Sequence, residues 1–270
     1  MSGLCQVIGM TRQNFYKKRR HRSRRQVDEE LVLSLVCQQL AVQPRMVARK
    51  LLHLVRGELA KAGVVIGRDR FFALLRRHEL LIARRIRTVR TTDSRHSFAV
   101  YPNLLKDLAL TGPHQALVSD ITYIRTEEGF LYLCLVMDAF SRAIVGYDCS
   151  DTLEREGALR ALGQALRQLP ADHKTIHHSD RGSQYCCQDY VEQLQAAGVS
   201  ISMTEENHCY ENAQAERLNG IVKQEYGLGG TFARKSDAVR AVTQAVNLYN
   251  WRRPHQALGY AVPMEVHRTA

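Results

Sequence analysis

Three acidic residues stand out by their surroundings and their order. Asp120 sits in an apolar stretch, after Leu117-Val118 and before Ile121. A lone carboxylate inside a buried strand is costly unless a partner or a metal takes up its charge. Asp180 follows with 59 residues between it and Asp120, just past the stretch Thr175–Ser179. Glu216 follows with 35 residues between it and Asp180, in a stretch that reads as a helix, where Asn212, Glu216 and Lys223 fall on one face. Carboxylates so arranged suit phosphoryl transfer without a covalent intermediate. That chemistry asks the protein mainly for two divalent ions ~3.5–4 Å apart, in line with the scissile phosphate. Mg²⁺-type ions take oxygen ligands, with only a few carboxylates among them. Lys223 would then offer a cation to a DNA phosphate two turns from Glu216.

Singly, each residue has an ordinary reading. An Asp after a strand is usually a turn residue, a helical Glu is usually solvated, and Lys223 alone is a surface lysine. Asp138 reads as structural, capping the turn to Ser141. Of His177-His178, the sequence favours His178 as a donor behind the site rather than a metal ligand. The set of three carboxylates carries the argument.

Such a set needs a scaffold. From Pro113 onward, Ala116–Arg125, Gly129–Phe140 and Arg142–Cys149 read as three strands of an antiparallel meander with short turns. A helix over 153–169, a strand over 175–179, a helix over 189–197 and a strand over 199–203 follow. Then come a helix over 212–226 and a last one over 236–252 burying Val239, Val242, Val246 and Tyr249. Meander followed by alternating helix and strand predicts an α/β fold with a mixed sheet. The front of the chain reads as all-α. Thr11 would cap the second helix of a partial helix-turn-helix whose first helix is Cys5–Ile8. Asp28 would cap a helix bearing Leu31, Leu35 and Val36. Further helices follow over 46–56, with Val47, Leu51 and Leu54 on one side, and from Gly67–Asp69 onward, with Phe71, Leu74 and Leu75.

Charge separates the two halves. Residues 1–112 hold 23 Lys/Arg against 8 Asp/Glu, and residues 113–270 hold 15 against 19. All of the net +11 therefore belongs to the front, which marks it as a nucleic-acid grip. Arg12 and the run Lys17-Lys18-Arg19-Arg20 are candidate phosphate contacts, as are Arg84, Arg85 and Arg87. The longest wholly apolar run is eight residues, Phe130 to Met137, far short of the ~20 that span a membrane. No secretory signal opens the chain. Seven Cys without a C-x-x-C spacing argue against a disulfide framework or a zinc ribbon and fit a reducing cytosol.

The motifs Ser119-Asp120-Ile121-Thr122-Tyr123-Ile124, His178-Ser179-Asp180-Arg181-Gly182-Ser183-Gln184-Tyr185 and Glu211-Asn212-Ala213 through Glu216-Arg217-Leu218-Asn219 to Lys223-Gln224-Glu225 resemble the aspartate-aspartate-glutamate signature of bacterial transposases. The likeness is to second-frame transposases of the insertion-sequence-three family, whose catalytic chain is similar to retroviral integrase. It extends to Asp138-Ala139-Phe140-Ser141-Arg142, Tyr249-Asn250, Arg253-Pro254-His255, Leu258-Gly259-Tyr260 and Pro263, and, in the front half, to Arg49-Lys50-Leu51, Arg68-Asp69-Arg70-Phe71 and Tyr101-Pro102-Asn103-Leu104. Two places depart from the family's pattern: Leu117, often Trp, and Arg45-Met46-Val47, usually an Arg-x-Gly turn.

The resemblance implies a ribonuclease-H-like core with two Mg²⁺ (or Mn²⁺) ions at Asp120, Asp180 and Glu216. One ion would activate water and then a 3′-hydroxyl; the other would stabilise the leaving oxygen. One element end would be nicked and its 3′-hydroxyl would attack the other end, giving a circle that inserts into a target. The partners implied are double-stranded DNA, a small upstream-frame helix-turn-helix protein joined by frameshift fusion, and further copies of the chain, acting at the bacterial nucleoid in the cytoplasm with no membrane. The organisation expected is a partial helix-turn-helix and basic segment (1–27), a small helical DNA-binding domain (28–82), a basic linker (83–112), the catalytic core (113–230) and a C-terminal helix and tail (231–270). Two rivals remain: a silent DNA-binding relic or regulator of the element, and a plain ribonuclease-H-like nuclease.

Overall fold

In a computed structural model, residues 10–82, 98–106, 108–205 and 212–269 are described. The chain divides into two units, residues 1–84 and 85–270, and each is taken by itself.

The described residues of the first unit form three helices: α1 (Arg12–Val42), α2 (Ala48–Lys61) and α3 (Arg68–Arg77). Thr11 caps α1 as expected, its hydroxyl accepting from the Asn14 N–H at 3.2 Å. The expected break before Asp28 is absent: α1 runs through it for 31 residues. Lys, Arg, Gln and Glu are strong helix formers, and Arg25–Glu29 and Gln26–Glu30 pair at i, i+4 across the boundary. Asp28 is thus mid-helix and caps nothing. Val32 and Val36 of α1 pack with Leu51, Val55 and Leu59 of α2 and Phe71, Leu74 and Leu75 of α3. Val47, expected on a buried face, precedes α2 and is exposed. Cys5–Ile8 and the arginines at 84, 85 and 87 lie outside the described residues.

The second unit is built on one sheet. Strands β1 (Ala116–Thr126), β2 (Gly129–Asp138) and β3 (Ile144–Ser150) form the expected meander. Strands β4 (Ile176–Ser179) and β5 (Ser200–Met203) lie beyond β1, giving the order β3-β2-β1-β4-β5 with β4 and β5 parallel to β1. A two-residue β6 (Thr231–Phe232) pairs with the far end of β1. Helices α4 (Arg155–Leu166), α5 (Ser183–Cys186), α6 (Gln188–Ala196), α7 (Ala213–Glu225), α8 (Lys235–Arg252) and α9 (Pro263–Arg268) complete it.

Alternation along β1 sends side chains to two cores. Ala116, Val118 and Ile124 join Leu218 and Val222 of α7 and Val242 and Tyr249 of α8. Leu117 joins Ala161 and Leu162 of α4 and Tyr190 and Leu194 of α6. The sheet is therefore covered on both faces. At Gly146 the backbone of β3 meets α4 so closely that a Cβ would collide with the Ala161 carbonyl.

Three local expectations change. Val239 is exposed on α8 and Ala238 is buried in its place. The short elements α5, β6 and α9 carried too little periodicity to be read. The described part of the expected basic linker is docked: Tyr101, Leu105 and Leu110 pack on the sheet cores, and the Leu104 N–H donates to Ser202 Oγ at 2.8 Å. Asp138 behaves as expected, fully buried and accepting from the Ser141 N–H and hydroxyl at 2.7 and 2.8 Å and from the His114 N–H at 2.7 Å. Among the described residues no helix is long and apolar enough to cross a membrane.

Candidate active site

Strand register does the first part of the assembly. Ala116, Leu117 and Val118 of β1 stand beside Ile176, His177 and His178 of β4. Asp120 and Asp180 lie two residues further on in both segments and keep the same offset. Parallel neighbours stand ~4.8 Å apart, so the two carboxylates end up side by side at the point where β4 stops. Among the described residues, that edge of β1 has no strand partner past Val118 until β6 joins at Arg125, which leaves an opening in the sheet at Asp120.

Helix α7 crosses that opening and is tied to it by two amides. Asn212 Nδ2 donates to the Ser119 carbonyl at 3.1 Å, and Asn219 Nδ2 donates to Asp120 Oδ2 at 2.8 Å. Glu216 lies between them on the same stripe, exposed in the first turn of α7. The other oxygen of Asp120 accepts from the Ile121 N–H at 2.8 Å. Asp180 Oδ1 accepts from the Gly182 N–H at 3.0 Å, and a side chain at Gly182 would crowd that oxygen.

Burial, then the neighbouring charge of Asp180, push the Asp120 carboxyl up to about 7, with Glu216 adding repulsion and the two hydrogen bonds opposing it. A carboxylate held against its own charge is one that a cation would stabilise, and the donors are hard oxygens suited to Mg²⁺ or Mn²⁺. Asp120 and Asp180 are brought together and Glu216 is within electrostatic reach. Among the described residues, however, no three Asp, Glu, His or Cys side chains form a closed metal-binding cluster.

Lys223, two turns along α7 from Glu216, sits with its Nζ 4.3 Å from the centre of the Tyr123 ring, half-buried, its pKa lowered mainly by burial. His178 is fully buried, its Nδ1 2.8 Å from Ser202 Oγ. His177 meets both Ser119 Oγ and Tyr190 Oη through Nε2, at 2.8 and 2.9 Å, and burial brings it down to about 3, so it is neutral. In the first unit Arg12, Lys17, Lys18, Arg19 and Arg20 lie exposed on α1. Asn219 was not singled out from the sequence, although its place three residues after Glu216 put it on the same helical stripe. Tyr123 stood within the first motif but had no role read for it.

Comparison with known proteins agrees with this architecture. Residues 111–209 match a family described as "Integrase core domain", and residues 197–263 match a second family of the same description. The chain is 34% identical over 264 residues to the "Insertion element IS600 uncharacterized 31 kDa protein" of Shigella sonnei, covering 96% of each. It is 32% identical over 259 residues to "Transposase InsF for insertion sequence IS3A" of Escherichia coli K12, covering 94% of this chain and 89% of that one. Among solved structures, a chain of the simian T-cell lymphotropic virus intasome in complex with the PP2A regulatory subunit B56 gamma superimposes with a TM-score of 0.51 at 16% identity, over 82% of this chain and 74% of that one. The fold is that of an integrase catalytic core, which is ribonuclease-H-like. With the likeness to named transposases running nearly end to end, the chain belongs to the IS3 family of bacterial insertion-sequence transposases, polynucleotidyl transferases built on an integrase core.

Proposed function

We propose that Asp120, Asp180 and Glu216 are the reacting centre for cleavage of element ends and for strand transfer by 3′-hydroxyl attack on a phosphodiester. The observation that carries this reading is the β1–β4 register, which ends two residues before both Asp120 and Asp180, with α7 hydrogen-bonded across the opening beside them. The three carboxylates would hold two Mg²⁺ (or Mn²⁺) ions, which supply Lewis-acid polarisation of the phosphate and lower the pKa of the attacking hydroxyl. Asn219 fixes the Asp120 carboxylate and Asn212 fixes the start of α7, so both act by positioning. His178 supports the end of β4 from behind. Lys223 receives a phosphate of end DNA.

The partner is double-stranded DNA, as element ends and as target. Arg12, Lys17, Lys18, Arg19 and Arg20 on α1, with Arg84, Arg85 and Arg87, would neutralise backbone phosphates. Residues 1–82 thus serve DNA, 83–112 join them to the 113–230 core, and 231–270 buttress that core. Fusion to an upstream-frame helix-turn-helix protein, assembly of several copies on paired ends, and action at the nucleoid in the bacterial cytoplasm belong to the same reading. A silent DNA-binding relic would leave the raised Asp120 carboxyl without a use.

The test is end cleavage and strand transfer with Asp120→Asn, Asp180→Asn and Glu216→Gln. Each should lose activity by a factor on the order of a thousand or more while still shifting end DNA in a gel. Near wild-type strand transfer from any of the three would remove that residue from the assignment.

A further inference from the structure

The carboxylates share their opening with a group of side chains that the reaction itself does not use. A cleft of about 530 Å³ is lined by Asp120 and Asp180 and, from the β1–β2 hairpin, by Tyr123, Arg125, Phe130 and Tyr132. In the antiparallel register Tyr123 stands opposite Tyr132 and Arg125 opposite Phe130, so these four project from one face of the hairpin. The Tyr123 and Phe130 rings meet edge to face at 5.4 Å. Two cations, Lys223 Nζ at 4.3 Å and Arg125 Cζ at 5.9 Å, attend the Tyr123 ring.

Phe130 is 51% exposed and Leu153, on the same cleft, 42% exposed. Large apolar surface left open beside a charged centre marks a binding surface rather than core. Aromatic rings beside cations that can track a phosphate backbone are the makings of a single-strand nucleic-acid site, since every base has a face to stack. A cleft of this volume is of the size that holds one small-molecule-sized group, not a stack of base pairs. It therefore admits a single nucleotide drawn out of the duplex.

We propose that this cleft takes one unpaired base of the DNA strand engaged at Asp120 and Asp180, stacked on Phe130 and Tyr132, with its phosphate neutralised by Arg125 and Lys223. The proposal rests on the reading of the carboxylates as the reacting centre. Drawing the base out would expose the adjoining phosphodiester to the carboxylates and hold it in register.

The experiment uses the full chain carrying Asp120→Asn, so that no chemistry intervenes, and duplexes of the element's ends with 2-aminopurine at single positions flanking the cleavage point. Binding should raise 2-aminopurine fluorescence several-fold at one position. Adding Phe130→Ala should abolish the rise and weaken binding roughly ten-fold, whereas Phe130→Trp should preserve the binding. In the otherwise wild-type chain, Phe130→Ala should slow cleavage, and an abasic site at the responsive position should restore much of the rate. Fluorescence that stays flat at every position despite full binding would overturn the proposal, as would a rise that Phe130→Ala leaves intact. A change in assembly state alone, without a fluorescence effect, would assign the cleft to a protein contact and overturn it too. If Asp120→Asn instead left cleavage intact, the reacting centre would be misassigned while the fluorescence result would still decide the stacking site.

Discussion

Glu29 in the helical unit and Asp120 in the catalytic unit are both partly buried carboxylates, and they are treated in opposite ways. Glu29 accepts from Arg77 at 2.6 Å, Arg25 at 3.2 Å and Arg70 at 3.3 Å, and these guanidiniums, Arg77 foremost, hold it down at about 2. Asp120 has two amide donors and two acidic neighbours, and burial first, then the charge of Asp180, raise it to about 7. The helical unit spends its acid on folding. The catalytic unit keeps one uncompensated: burial raises Asp120 with acids beside it, whereas guanidiniums outweigh burial at Glu29.

A third carboxylate makes that distinction sharp. Glu225 is more deeply buried than either, yet Arg253 grips it with a fork of two hydrogen bonds at 2.8 and 2.9 Å. Removing the partner should cost the most: Arg253→Met is expected to destabilise the catalytic unit by about 3–5 kcal/mol, since a buried carboxylate loses its two guanidinium hydrogen bonds. Adding Glu225→Gln should recover much of the loss. Urea unfolding followed through Trp251, the chain's only tryptophan, would measure both, and a single variant without effect would break the comparison.

Asp120→Asn should act in the other direction. A raised folded-state pKa means that the metal-free fold loses stability as pH rises from about 4 to about 7 and stays lower above that range. The variant should therefore be more stable by on the order of 2 kcal/mol at pH 8 in EDTA and no more stable than wild type below about pH 4. Mg²⁺ should raise the wild-type midpoint and not the variant's. Lost stability at pH 8 would contradict the uncompensated carboxylate.

Glu29→Gln should show the opposite slope. Its stabilisation is present above the ordinary Glu range and is lost as pH falls towards about 2. The variant should lose ~1 kcal/mol at pH 7, less in high salt because its arginines are solvent-exposed, and nothing near pH 2. Helix ellipticity would record it. The smallest effect is expected at Val239→Lys, within ~0.5 kcal/mol, because the exposed valine contributes little to the core.

The strands and helices of the core were legible because each element carries its own period. The meander, the β4 stretch before Asp180 and the α7 helix emerged within a few residues of where they lie. Asp138 was legible as a turn cap for the same reason: its partner Ser141 is three residues away. The α1 helix extends through the expected cap at Asp28 because an exposed basic stretch needs no apolar face to be helical and its side-chain pairs are local. The docked stretch around Tyr101–Leu110 was misread because only its partners, distant in the chain, show it to be covered.

What the sequence determined by itself is the ordered trio of acids, the helix stripe that carries Glu216 with Asn212 and Lys223, and the confinement of positive charge to the front. These depend on residue type and short spacing, which the chain states outright. What the tertiary structure alone decided is the pairing offset that sets Asp120 beside Asp180, the Asn219 bond to Asp120, and the aromatic cleft that the hairpin opens next to them. Those arise from strand register and from charges meeting across long loops, and no local pattern encodes which distant neighbour a side chain will meet.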